Sequence, residues 1–178
     1  HDADGHIQIP GFYDDVTEIS DAQQALIEEN EERAIEKAQE VTGLETFWGE
    51  PGFSYLERAT ARPTCDVNGI YGGYQGAGGK TVLPAEAGFK VSMRLVKDQD
   101  PEDIAEKFKA FVTGFATETA EVEAEVFSWA WPTETVITGP IAQAVIDAYT
   151  ETWGKEPKME RGGGSVPRTG MFTRIMQT

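Results

Sequence analysis

The run Phe89-Lys-Val-Ser-Met-Arg-Leu-Val96 constrains the fold of this chain more than any other stretch. Phe89, Val91, Met93 and Leu95 alternate with Lys90, Ser92 and Arg94. Successive side chains of a strand point to opposite faces, so this pattern predicts a strand with an apolar face on a core and a polar face away from it. Thr64 to Tyr74 reads as a second strand ending in glycines. Directly after the alternating run, Asp100-Pro101-Glu102-Asp103 marks a helix start, with a capping aspartate, proline in the first turn and acids at the positive end of the dipole. Ile104, Phe108, Phe111, Val112 and Phe115 form its apolar stripe. Glu121 to Trp131 alternates again and predicts a further strand.

An earlier helix is predicted from a cap at Ser20 or Asp21 to about Val41, closed by Gly43. Ile27, Ala34, Ala38 and Val41 share one of its faces, and glutamates occupy the other. Residues 2–14 read as a short extended stretch. Residues 46–62 read as a loop whose aromatics Phe47, Trp48, Phe53 and Tyr55 must pack somewhere. A last helix is predicted near Pro140, with Ile141, Val145, Ala148 and Tyr149 on one side; the tail from Ser165 shows no pattern. The central order is strand, strand, helix, strand. With the first helix it predicts an α+β sandwich: an antiparallel sheet with helices on one face. Residues 1–134 form this unit, and residues 135–178 read as a separate one.

A chain of 178 residues can bury a core without disulfides or structural metal. Its single cysteine, Cys65, allows no internal disulfide and favours a reducing, cytoplasmic setting. The net charge of −16 argues against nucleic acid as a partner, because that binding relies on basic residues neutralising phosphates. The acids of Glu28–Glu32 and Glu118–Glu125 read as solvated faces. No apolar run is long enough to span a bilayer, so no membrane partner is expected, and no signal peptide is evident. The chain begins on His1 rather than Met, which leaves room for a preceding segment.

The glycine-rich loop Gly73-Tyr-Gln-Gly-Ala-Gly-Gly-Lys-Thr81 raises the question of a phosphate site. A phosphate-binding loop of the G-x-x-x-x-G-K-[ST] type needs glycine at position 74, where Tyr74 stands, and a helix after Thr81, where Pro84 intervenes. His1 and His6 have no ligand spacing around them, Cys65 has no histidine near it in sequence and reads as a buried structural cysteine, and no nucleophile elbow is present. No catalytic apparatus emerges. Three polar features stand out instead: Thr81 closing the loop, Arg94 on the polar strand face, and Ser165 after Gly162-Gly163-Gly164. A solvated arginine and a flexible glycine turn are the plain readings of the last two.

Taken together, Arg62-Pro-Thr-Cys-Asp-Val-Asn-Gly-Ile-Tyr-Gly-Gly-Tyr74, Gly78-Gly-Lys-Thr-Val-Leu-Pro84, the alternating run 89–96 with Gln99-Asp-Pro101, and Arg161-Gly-Gly-Gly-Ser-Val-Pro167 resemble the lid of the co-catalytic zinc exopeptidases. These comprise carnosinase-type dipeptidases, aminoacylase and succinyl-diaminopimelate desuccinylase. The dipeptidase branch also has a start like Asp2-Ala-Asp-Gly5 and Ile9–Val16. The resemblance implies a ferredoxin-like lid that carries a homodimer contact, with the helix from Pro140 and the tail belonging to the catalytic domain. It implies amide-bond cleavage of a dipeptide or N-acyl amino acid by two zinc ions and a glutamate base. Those groups are expected in stretches outside this chain, which alone should hold no zinc and be inactive. The family's lid histidine has no match in His1 or His6. Thr81, Arg94, Gly164 and Ser165 match substrate-holding positions. One departure is Gly162, where dipeptidases commonly carry an acid; another is Arg168-Thr-Gly-Met171, less apolar than usual. The alternative is a free-standing α+β dimerisation or peptide-binding module that never had a catalytic half.

Overall fold

The computed structural model describes residues 1–135, 137–163 and 167–176. Among these residues, five helices and two strands follow in the order α1 (Asp21–Thr42), α2 (Tyr55–Thr60), β1 (Thr64–Gly72), β2 (Ala87–Arg94), α3 (Pro101–Thr113), α4 (Pro140–Trp153) and α5 (Pro167–Met176). The class is α+β, with an antiparallel β1–β2 sheet.

The predicted helix ends hold because their signals are local. Ser20 caps α1 in a reciprocal box with Gln23, and Gly43 closes it at φ 71°, a left-handed conformation that suits glycine. Asp100 accepts hydrogen bonds from the backbone N–H groups of Glu102 and Asp103, and Pro101 opens α3. α2 lies in a stretch expected to be loop. Ser54 and Glu57 form a second capping box there, strong enough to start a six-residue helix after Gly49, Pro51 and Gly52. The aromatics of this stretch do pack: Phe47 lies 4.8 Å from Tyr55, and the Arg62 guanidinium sits 4.2 Å above Phe53.

The core forms where three parts of the chain meet. Ile7, Ile9 and Phe12 from the N-terminal stretch are buried with Ile104 of α3. Phe108 and Phe111 of α3 pack against them, as do Cys65, Met93 and Leu95 from the base of the β1–β2 hairpin. The N-terminal stretch is a pair of turns and not the extended segment expected. Asp2 draws the backbone N–H groups of Asp4 and His6 onto its carboxylate, and Gly5 and Gly11 take positive φ.

The run 121–131 is not a strand: among the described residues the sheet has two strands. Val122 and Ala124 are half-buried between exposed glutamates, but the alternation stops there, and Val126, Phe127 and Trp129 are exposed. Orientation alone supplies no backbone partner, and no sheet hydrogen bonds join this segment to β1 or β2. α5 forms in the tail that shows no sequence pattern; its Gly170 abuts the Trp131 carbonyl, and the Arg174 guanidinium lies 3.5 Å from the centre of the Trp131 ring.

Candidate functional site

The hairpin sorts its side chains by face through its register. Cys65 pairs with Met93, Val67 with Val91 and Ile70 with Phe89, while Thr64 pairs with Arg94 and Asp66 with Ser92. The spacing Val67-x-x-Ile70 breaks a period of two. A bulge between Val67 and Gly69 absorbs the extra residue and returns Ile70 to the side of Phe89. One face is therefore apolar, and its lower end closes on the core. The other face carries Thr64, Asp66, Lys90, Ser92 and Arg94. Arg94 is exposed at the base of this polar face.

Thr81 is exposed within the connection 73–86 at the far end of the hairpin. The loop is organised by its own contacts. The Tyr74 hydroxyl donates to the Ala77 carbonyl at 3.0 Å, Gln75 donates to the Gly72 carbonyl at 2.6 Å, and the Lys80 ammonium lies 5.0 Å from the centre of the Tyr74 ring. Gly73 at φ 67° and Gly78 at φ 82° take conformations few other residues adopt without strain. From Ala87 to Arg94, β2 spans roughly 24 Å at about 3.4 Å per residue. Strand geometry therefore sets Thr81 and Arg94 at opposite ends of one ribbon.

Gly164 and Ser165 lie outside the described residues. The residues that lead to them are held on a platform made by α1 and α2. Buried Asn30 of α1 donates to the Met159 carbonyl at 3.2 Å and to Leu26 of its own helix at 2.8 Å. Arg33 pairs with Glu160. Arg161 donates to the Thr60 carbonyl at the end of α2 and reaches Glu134 at 3.2 Å. Gly163 lies so close to the Ala59 carbonyl that a Cβ would overlap it. The platform is itself braced: the Glu31 carboxylate accepts from the Ser54 hydroxyl and from the backbone N–H groups of Tyr55 and Leu56, at 2.7–3.0 Å. A carboxylate there also meets the positive end of α2.

Asn30, Glu31 and Glu134 thus brace the segment 159–163, and sequence patterns do not single them out; Arg161 is marked only as the first residue of the return motif. Asn30 and Glu31 stood in what looked like a solvated acidic face. Their spacing, three and four positions after Ile27 on the same helix face, is the available signal; Asn30 is buried and Glu31 half-buried.

The remaining candidates have structural partners. His1 meets the Trp48 ring edge-on at 5.5 Å, and His6 lies 3.7 Å from Asp2 and 3.9 Å from Glu50. Arg62 grips Glu50 through two bonds of 2.8 Å. Cys65 is half-buried against the core, and burial pushes its thiol pKa up, which suppresses the reactive thiolate. Among the described residues no group of three or more His, Cys, Asp or Glu is placed to hold a metal ion. No described helix is long and apolar enough to cross a membrane.

Arg94 presents one guanidinium on a strand, a group able to hold an anion, and Thr81 presents a hydroxyl at the far end of the same hairpin; the described residues do not bring the two together. Among the described residues no nucleophile–base pair is placed for catalysis.

The peptidase dimerisation domain profile matches residues 2–119. The chain is 25% identical over 179 residues to the Beta-Ala-His dipeptidase of Rattus norvegicus, covering 99% of this chain and 36% of that protein. It is 28% identical over 178 residues to the Cys-Gly metallodipeptidase DUG1 of Candida albicans, covering 97% and 36%. An M20 family metallo-carboxypeptidase from Sulfolobus solfataricus superposes with a TM-score of 0.79 at 27% identity, over 99% of this chain and 39% of that one. The chain spans a little over a third of the length of these relatives.

Proposed function

Because the chain belongs to the peptidase dimerisation domain family, we propose that it is the lid and dimerisation region of a zinc-dependent dipeptidase. On this reading residues 1–134 are the lid and residues 135–178 return to the catalytic domain. The lid supplies a homodimer contact and holds the carboxylate of a dipeptide or N-acyl amino acid, in a cytoplasmic enzyme.

The observation that carries the reading is the facing of Arg94. Met93 and Leu95 on either side of it pack on the core, so the guanidinium stands on the opposite, polar face of the hairpin. A guanidinium can grip a carboxylate through two parallel hydrogen bonds, which an ammonium cannot. Thr81, Gly164 and Ser165 are the other proposed substrate-holding positions; Thr81 stands at the far end of the hairpin and, within one chain, does not reach the carboxylate that Arg94 would grip. The division at residue 135 is supported by α4, which has no buried residue and leaves Ile141, Val145, Tyr149 and Trp153 exposed along one side. A helix with that stripe suits a neighbouring domain.

The two zinc ions and the general base are assigned to other parts of the complete enzyme. The test is to assay dipeptide hydrolysis by the complete polypeptide and by this chain alone. Activity confined to the complete polypeptide supports the reading. A complete polypeptide without peptidase activity, with a chain that binds peptides unaided, supports the free-standing module instead.

A further inference from the structure

The connection 73–86 folds around one side chain. From Gly76 to Gly79 it carries nothing larger than the methyl group of Ala77, so this run has little with which to hold its own shape. Tyr74 supplies the hold. Its hydroxyl donates to the Ala77 carbonyl within the run, and its ring meets the Lys80 ammonium, 5.0 Å from the ring centre, just after it. Gly76 lies so close to the hydroxyl end of the ring that a Cβ there would overlap it. Gln75 closes the start of the turn on the Gly72 carbonyl. Thr81 follows Lys80 directly. Tyr74 is itself 46% exposed and stands apart from the core cluster, so its contacts serve the loop.

We infer that Tyr74 is a positioning residue: by holding Ala77 and Lys80 it fixes where the loop presents the Thr81 hydroxyl. The inference rests on the substrate-holding role proposed for Thr81. It adds a residue that acts through Thr81 and not on the substrate itself. An exposed cation–π contact and a neutral hydrogen bond are each modest. Without them, however, a glycine run samples many conformations, and Thr81 is well placed in only a fraction of them. Apparent affinity falls by that fraction, so a loop well placed about a fifth of the time binds about fivefold more weakly.

In the complete enzyme, the wild type, Tyr74→Leu, Thr81→Ala and the double variant are compared on one dipeptide. Leucine keeps an apolar side chain but offers neither ring nor hydroxyl. The expected result for Tyr74→Leu is a rise in KM of about fivefold, corresponding to about 1 kcal/mol, with kcat held. Thr81→Ala should raise KM at least as far. The double variant should be no worse than Thr81→Ala alone, because placing the loop gains nothing once the hydroxyl is gone. Where Thr81→Ala does raise KM, two results overturn the Tyr74 assignment alone: an unchanged KM in Tyr74→Leu, whatever its kcat, or effects that multiply in the double variant. A Thr81→Ala enzyme with the wild-type KM brings down the substrate-holding role of Thr81, and the Tyr74 assignment with it.

Discussion

Thr64 and Arg94 face each other across the antiparallel ladder, the pair at the base of the hairpin. Immediately above them Cys65 and Met93 point the other way, into the core. This single step of the strand period separates the side chains that pack on the core from those on the polar face. Substitutions on the two faces should therefore have different signatures, stability on one and binding on the other.

The close approach of Gly163 to the Ala59 carbonyl gives a stability prediction. Gly163→Ala forces backbone or α2 to move, and overpacking of this kind costs about 1–3 kcal/mol. Gly162→Ala meets nothing within 4 Å and should stay within about 0.5 kcal/mol of the parent. Denaturant midpoints of the two variants check the difference.

Glu31 offers a second. Its carboxylate accepts three hydrogen bonds at the start of α2, so Glu31→Ala should cost about 1–2 kcal/mol. Glu29→Ala, on the exposed side of the same helix, should change stability by less than about 0.5 kcal/mol. Equal effects would mean that α2 does not depend on this brace.

The Cys65 thiol and the Tyr13 phenol are both pushed up by burial. The folded state then holds these protons more tightly than the unfolded chain, so stability must fall as pH rises through the range between the two pKa values. Unfolding measured from neutral to alkaline pH should show this decline. Cys65→Ala should flatten part of it and leave the part due to Tyr13. Alkylation of Cys65 should also run more slowly in the folded protein than in denaturant at the same pH.

Assembly gives a fourth prediction. Beyond the core, the apolar face of the hairpin continues through Val67, Ile70 and Phe89, which are 57%, 83% and 53% exposed, beside strand edges that other strands can join. The chain should be dimeric at micromolar concentration, and Ile70→Lys should shift it toward monomer. Light scattering that finds only monomer in the parent chain would count against the homodimer contact.

How far the sequence revealed these features depends on how local their causes are. Ser20 with Gln23, Gly43, and Asp100 with Pro101 write helix ends into neighbouring residues, and those ends were legible. Ser54 with Glu57 is written in the same way, but the helix it starts is six residues long and follows two glycines and a proline. The facing of Arg94 followed from alternation alone. The brackets around the return segment did not, because Asn30 finds its partner 129 residues away at Met159, and Glu134 finds Arg161 27 residues on. The alternation of 121–131 misled for the complementary reason: it specifies faces and says nothing of which strand, if any, supplies the hydrogen bonds.

The central claim is that Arg94 reads the substrate carboxylate, and kinetics on the complete enzyme test it most directly. Truncating one partner of a closed, hydrogen-bonded charge pair costs about 2–5 kcal/mol. At about 1.36 kcal/mol per tenfold, Arg94→Ala should lower kcat/KM for a dipeptide by roughly two orders of magnitude or more. Hydrolysis of the corresponding C-terminal amide should fall far less, and the fold should survive, since Arg94 lies off the core face. Equal slowing of both substrates, or of neither, would contradict the claim and send the search for the anchor elsewhere.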